Sequence, residues 1–173
     1  MQASPVQIRF LGLVEYQQAF DAMQRFTQDR SATTVDEVWV LQHPPVFTLG
    51  LAGEPTNLHT PIDSIPLVAV DRGGEITYHG PGQLVAYPIL NLVAKHGGNG
   101  PADMQAYVHS VEQLVIDTLS QLGVKNAGRF NGFPGVWIEP NSVTPKKICA
   151  IGVRVSRGRT MHGFALNVST DLS

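Results

Sequence analysis

The sequence has only one cysteine in its 173 residues, Cys149. A single thiol excludes an internal disulfide framework and a cysteine-rich metal site, and it fits a reducing compartment. The six histidines include no pair at the i, i+4 spacing of a helical zinc site. We therefore expect no metal, and no nucleotide-binding Gly-rich motif indicates a cofactor.

An excess of charge of one sign is lacking, and so are long hydrophobic runs. Lysine and arginine total 12 and aspartate and glutamate 14, so there is no basic stripe to bind nucleic acid. No apolar run approaches the roughly 20 residues that span a bilayer, and the N-terminal residues do not form a secretory leader. We expect a cytoplasmic protein without nucleic-acid or membrane partners. Its hydrophobic content of 43% fits a single domain, residues 1–173.

The hydrophobic pattern of the first half predicts a strand, a helix and further strands. Val6–Leu13 alternates like a strand, and apolar residues then recur at helical spacing from Tyr16 to Phe26. Glu37–Gln42 is predicted to be a buried strand, and Gly50–Ile65 a loop. The next three apolar runs, separated by Gly-rich turns, are predicted to be antiparallel neighbours. They are Leu67–Val70, Glu75–Tyr78 and Leu84–Leu90.

The second half predicts one long helix and three strands. An apolar stripe from Met104 to Leu122 indicates a helix over about Ala102–Leu122, with Pro101 near its first turn and Gly123 after its end. The predicted strands are Val136–Glu139, Lys147–Ser156 and Thr160–Val168, with turns at Asn131-Gly132 and Arg157-Gly158. Strands outnumber helices, which favours an α+β domain with a mixed, mostly antiparallel sheet and packed helices.

The segment Arg72–Gln83 has the most unusual composition, with an arginine, a histidine and four glycines around one short strand. Glycine pairs alone are typical of tight turns. The complete string is rarer: glycine allows a ligand to approach the main chain, and Arg72 offers several donors to an anion or a carbonyl. The segment is therefore a candidate binding site as well as a pair of turns.

The segment from Arg72 to Pro88 resembles the signature of the lipoyl(octanoyl) transferases, which move an octanoyl group from acyl carrier protein to a lysine of lipoyl domains. His43–Gly50, Lys147–Val155 and His162–Val168 resemble the other motifs of that family, in the same order. The resemblance implies the catalytic-domain fold shared with biotin and lipoate protein ligases. It implies octanoyl-acyl carrier protein as donor and, as acceptors, the lipoyl domains of 2-oxoacid dehydrogenases and the glycine cleavage H protein.

The resemblance also implies roles for particular residues. Lys147 corresponds to the lysine that lowers the pKa of a catalytic cysteine and acts as general acid and base; a solvated lysine at a strand end, beside Lys146, is the alternative. The substrate-binding positions are two sets, one in the signature and one in the downstream motifs. They are Arg72, Gly73, Gly74, Glu75, Ile76, Thr77, Tyr78 and His79, and Ala150, Ile151, Gly152, Gly163, Phe164 and Ala165. We expect His79 to bind substrate or order the site.

The family's nucleophilic cysteine belongs to a Pro-Cys-Gly segment, which we expect beyond Ser173, so the chain is interpreted as a C-terminally incomplete domain. Cys149 lies mid-strand and is expected to be a buried structural residue, although a Lys147–Cys149 dyad is the competing hypothesis. Two further hypotheses stay open. One is an ATP-dependent lipoate or biotin ligase, and the other is a non-catalytic acyl-binding module.

Overall fold

The computed structural model describes residues 5–31, 33–58, 64–92 and 102–172, which form ten strands and two α-helices. The helices are α1 (Tyr16–Asp29) and α2 (Met104–Gln121). The first six strands are β1 (Val6–Leu13), β2 (Asp36–Gln42), β3 (Val46–Leu49), β4 (Leu67–Ala69), β5 (Ile76–His79) and β6 (Gln83–Ile89). The last four are β7 (Ala127–Phe130), β8 (Phe133–Ile138), β9 (Lys146–Ser156) and β10 (Arg159–Asn167).

Seven strands form the larger sheet, in the order β1-β2-β6-β10-β9-β8-β7. Only β1 and β2 pair in parallel, and each other neighbouring pair is antiparallel. The prediction of a mixed, mostly antiparallel sheet is confirmed. The hairpin of β9 and β10 is also confirmed, with Arg157 and Gly158 at φ 52° and 73° in its two-residue turn.

A smaller sheet has the order β4-β3-β5 and corrects one prediction. The three apolar runs after residue 66 are strands, but they are not mutual neighbours. The first two, β4 and β5, flank β3, which was not predicted, and β4 is parallel to it. The third, β6, lies inside the larger sheet between β2 and β10. The chain therefore passes from one sheet to the other within the glycine-rich segment.

The two helices cover opposite faces of the larger sheet. Ala165 on β10 belongs to the core under α1, which includes Met23, whereas its neighbour Phe164 packs with Val115 of α2 and Val136 of β8. Because successive strand residues point to opposite faces, α1 and α2 must lie on different sides. Neither helix in the described part of the chain has the length and apolarity needed to cross a bilayer.

The predicted long helix is present with small differences at its ends. Asp103 caps α2 by accepting a hydrogen bond from the Ala106 amide at 3.0 Å, and Gly123 follows it with φ 92°. Pro101 and residues 59–63 of the predicted loop lie outside the described residues. Leu114 and Leu122 of the predicted apolar stripe are 58% and 74% exposed, whereas Glu112 is buried. The reason for burying Glu112 is an ion-pair network described below.

Candidate active site

Arg72 and Gly73 together fix the glycine-rich segment to both sheets. The Arg72 side chain is buried, and its guanidinium donates to the Thr48 carbonyl at 3.0 Å, the Thr48 hydroxyl at 2.6 Å and the Gly73 carbonyl at 2.9 Å. The Gly73 amide donates in turn to the carbonyl of Val153 on β9 at 3.0 Å. Burial lowers the pKa of Arg72. Its guanidinium is thus engaged by the protein rather than presented to bulk solvent.

His79 at the end of β5 is also buried and hydrogen-bonded. Its Nδ1 lies 2.7 Å from Gln83 Oε1, and the Gln83 amide donates to Asn167 Oδ1 at 2.9 Å, so β5 is tied to the end of β10. Burial is the main cause that lowers the pKa of His79 to about 3. The imidazole is therefore neutral at physiological pH, and its hydrogen bond connects β5 to Gln83 of β6.

A further group of buried polar side chains, which was not predicted, includes His43 and His162. His43 contacts the Tyr87 hydroxyl at 2.7 Å through Nε2, and His162 contacts Asp71 at 2.8 Å through Nε2. Burial is the main cause that lowers the pKa of His162 to about 3, and its Nδ1 is buried without a partner among the described residues. His162 also has φ 59°, a strained conformation for a non-glycine residue. Such strain often occurs at functional sites.

Two connected cavities border the glycine-rich segment. The wider one has a volume of about 540 Å³, and its lining includes 72–77 on one side and Lys147 and 150–153 on the other. The narrower one, of about 20 Å³, is lined in part by His79 and by 163–165. The structure thus brings together all but one of the predicted site residues. The exception is Tyr78, whose ring packs against Phe47 at 5.4 Å instead.

Lys147 reaches the wider cavity from the start of β9. Lys147 as a whole is exposed, and the partial desolvation of its amine beside the cavity lowers its pKa, while Cys149 and Glu75 act in the opposite direction. The ammonium nitrogen lies 4.8 Å from the ring centroid of Trp137, its cross-strand neighbour. Trp137 was not singled out in the sequence, because only the pairing of β8 with β9 reveals the contact.

Cys149 has a different environment from Lys147. It is fully buried in the core under α2, with Val115, Leu119 and Val136. Burial is the main cause that raises the pKa of its thiol to about 12. Since the thiolate is the reactive form, Cys149 in this state is a poor nucleophile. No group of three or more His, Cys, Asp or Glu side chains in the described part of the chain could hold a metal ion.

Comparison with known proteins gives one family. Residues 15–173 match the model of the lipoyl protein ligase A/B catalytic domain. The chain is 50% identical over 170 residues to an octanoyltransferase of Polynucleobacter necessarius, covering 95% of this chain and 77% of that protein. It is 48% identical over 169 residues to an octanoyltransferase of Azoarcus sp., covering 98% and 70%.

Solved structures share the fold at low sequence identity. A bipartite lipoate protein ligase from Thermoplasma acidophilum superimposes with a TM-score of 0.73 at 17% identity, over 98% of this chain. The chain spans 64% of the length of that ligase. A lipoate-protein ligase A bound with ATP gives a TM-score of 0.68 at 14% identity, over 99% of this chain and 69% of that one. The predicted ligase-type α+β fold is confirmed.

Proposed function

The chain belongs to the lipoyl protein ligase A/B catalytic-domain family and, within it, to the octanoyltransferases, which are acyltransferases of protein lipoylation, and we propose that it takes the octanoyl group from octanoyl-acyl carrier protein. The acceptor is a lysine of a lipoyl domain, and the transfer passes through a cysteine acyl-enzyme. The nucleophile is a cysteine of a Pro-Cys-Gly segment beyond Ser173, and Lys147 is its general acid and base.

One observation supports the proposal most strongly. The Lys147 amine, which is partly desolvated and has a lowered pKa, borders a cavity of about 540 Å³ whose opposite wall is the glycine-rich segment. A general acid and base must reach the reacting atoms and have a pKa closer to the working pH than that of a free lysine. Lys146 is exposed, as Lys147 is, but it does not line this cavity.

The proposed reaction has two acyl transfers. In the first, the cysteine thiolate attacks the thioester carbonyl; a C–S bond forms, the bond to the carrier sulfur breaks, and the Lys147 ammonium gives its proton to the leaving thiolate. In the second, the acceptor amine attacks the acyl-enzyme and forms an amide, while the cysteine leaves as thiolate and Lys147 takes the proton from the amine. Backbone amides at 150–152 are candidates to stabilise the carbonyl oxygen in both steps.

The two cavities give the acyl chain a path. Eight carbons do not fit in a space of about 20 Å³, so the chain lies mainly in the wider cavity, with its end at the narrow one. Arg72, Thr77, Ala150 and Gly152 line both cavities and join them. Ala150 has only a methyl group as its side chain and Gly152 has none, which leaves room where the two cavities meet.

The test uses the protein expressed from its complete reading frame. It is incubated with octanoyl-acyl carrier protein, weighed intact, digested to locate the acyl group, and then given a lipoyl domain. We expect one octanoyl group on a cysteine other than Cys149, its transfer to the acceptor lysine, and the same result for Cys149→Ala. An acyl group on Cys149 itself would support the Lys147–Cys149 dyad and overturn our choice of nucleophile.

A parallel reaction contains octanoic acid and ATP in place of the thioester. Acylation of the lipoyl domain only under these conditions would identify an ATP-dependent ligase. Failure of every donor to acylate either protein, together with tight binding of the octanoyl thioester, would identify a non-catalytic acyl-binding module.

A further inference from the structure

A third cavity, of about 700 Å³, lies next to the Lys147 cavity and has no role in the reaction described above. It runs between the first turns of α2 and the turn joining β7 to β8. Five residues line both spaces, so the two form one continuous depression. These shared residues are Met104, Val108, Gly132, Phe133 and Pro134. We call the part beyond the Lys147 cavity the aromatic groove.

The aromatic groove has the size and chemistry of a small-molecule site. Its volume falls within the range of such sites, and its lining combines apolar side chains with the amides of Gln105 and Asn131 and with the ion pair of Glu112 and Arg129. Phe133 is 55% exposed and Met104 is 45% exposed at the junction with the Lys147 cavity. Large apolar groups left open beside a reactive centre are typical of a surface that a ligand covers.

The walls of the groove are held in place by the polar network around Glu112. One Glu112 oxygen accepts from the Gly135 amide at 3.0 Å, and the other accepts from Arg129 Nε at 2.8 Å. Arg129 also donates to the His109 carbonyl at 2.9 Å, so β7 and β8 are fastened to α2. The rings of Phe130 and Phe133 stack 5.1 Å apart. A preformed groove reduces the conformational entropy that a flexible ligand must overcome.

We propose that the aromatic groove binds the pantetheine arm of the thioester donor, which rests on the proposed function above. The donor sulfur must reach the Lys147 cavity, and the arm leaves that sulfur as a long, narrow chain with methyl groups and two amides. A groove that offers apolar side chains together with side-chain amides complements that chain. The acyl chain extends from the same carbonyl in the other direction, towards the narrow cavity. The acceptor lysine arrives on a folded domain, which needs an open face rather than a groove.

The test measures binding with two thioether ligands that cannot transfer an acyl group, S-octyl pantetheine and S-octyl N-acetylcysteamine. They share the alkyl chain and the sulfur, but the second lacks most of the arm. Isothermal titration calorimetry should give S-octyl pantetheine a dissociation constant about tenfold lower than that of S-octyl N-acetylcysteamine. A gain of this size is expected when a ligand covers part of one large apolar side chain. In Phe133→Ala this preference should fall to within about twofold.

The matched control is Phe10→Ala, which removes another exposed ring, 80% exposed, from β1 at the far edge of the larger sheet. It should keep the full preference. Gln105→Ala leaves the aromatic stack intact and should weaken the binding of S-octyl pantetheine alone. This second variant tests the groove even if Phe133→Ala does not fold.

Two outcomes would overturn the proposal. Equal affinity for the two ligands in the unmodified protein would mean that the arm is not recognised. An equal loss of affinity for both ligands in Phe133→Ala would mean that the groove holds the alkyl chain instead. A protein that prefers S-octyl pantetheine but transfers octanoate from no thioester would retain the groove assignment and lose the proposed function.

Discussion

The charge on Lys147 is set by opposing effects within one cavity. Partial burial removes water from the ammonium and lowers its pKa, whereas the negative charge of Glu75 favours the protonated form. The face of Trp137 attracts the same cation. Because desolvation is the largest cause, the amine gives up its proton more readily than a fully solvated lysine does.

Replacement of Lys147 by methionine tests this role. Lys147→Met keeps the length of the side chain and removes the proton, so we expect octanoyl transfer to fall by about 10²- to 10⁴-fold while the circular dichroism spectrum is unchanged. Lys146→Met, at a neighbouring exposed position that does not line the cavity, should retain activity within about twofold. Loss of less than tenfold in Lys147→Met would refute the assignment.

The buried histidines predict how stability depends on pH. Burial lowers the pKa of His79 from 6.5 to about 3, so the unfolded chain binds a proton there below pH 6.5 and the folded chain does not until about pH 3. Acid in this window therefore favours unfolding, by up to about 1.4 kcal/mol per pH unit for each such group. His162 acts in the same direction.

In urea denaturation, the free energy of unfolding of His79→Gln should fall less steeply between pH 6.5 and 4 than that of the unmodified protein. The difference between the two slopes should correspond to about one bound proton. The substitution should also lower stability at pH 7, because the hydrogen bond to Gln83 is altered. An unchanged pH slope in His79→Gln would show that His79 is protonated in the folded protein.

At this scale the sequence identified the residues of the glycine-rich segment but not those that support it. Lys147 and Arg72 belong to contiguous motifs, which can be recognised in a linear string. The Asp71–His162 pair joins residues 91 positions apart, and Arg129 and Glu112 are 17 apart on different elements. Such pairs depend on strand order and helix placement, so the composition of either segment gives no sign of them.

At the scale of elements, strand existence was predicted better than strand pairing. The β9–β10 hairpin follows from a two-residue turn, because its geometry fixes the partner. The strand β3 has only four residues after two prolines, which is too short for a clear alternating pattern. Without β3, the adjacent runs β4 and β5 seemed to pair directly, although each pairs with β3.

Close packing in the larger sheet predicts that one glycine cannot gain a methyl group. A Cβ on Gly163 of β10 would collide with the Ala86 carbonyl oxygen and lie 2.6 Å from Pro88 Cδ, both on the paired strand β6. Backbone atoms held in a ladder cannot move aside. Gly163→Ala should therefore lower the free energy of unfolding by at least about 2 kcal/mol in urea denaturation.

Gly73 provides the matched control within the predicted site. A Cβ there would meet only the Val153 carbonyl oxygen at 3.5 Å, an ordinary contact, and the residue does not have a positive φ. Gly73→Ala should change the free energy of unfolding by no more than about 0.5 kcal/mol. Similar losses in both variants would show that the glycine-rich loop is packed as tightly as the sheet.

At the scale of the whole molecule, a net charge of −2 gives no overall attraction to an acidic partner, so docking of the proposed carrier protein would depend on local basic groups. Six basic residues belong to the glycine-rich segment or to the β9–β10 hairpin: Arg72, Lys146, Lys147, Arg154, Arg157 and Arg159. Of these, Arg72 is buried and Arg154 pairs with Asp71. Arg159 donates to the Thr27 and Arg30 carbonyls at the end of α1. Arg157, at the tip of the hairpin, is exposed.

Because Arg157 is exposed and Arg159 is hydrogen-bonded to α1, we expect different effects for Arg157→Gln and Arg159→Gln. The first should raise the KM for octanoyl-acyl carrier protein a few-fold at low ionic strength, with thermal unfolding unchanged, because it removes an exposed charge. The difference should vanish near 1 M salt, where the screening length falls to about 3 Å. Arg159→Gln should instead lower the free energy of unfolding by about 1–3 kcal/mol, because it leaves two carbonyls without their charged donor. An unchanged KM for Arg157→Gln at low salt would exclude the hairpin tip as a docking site, because no other change accompanies the loss of its charge.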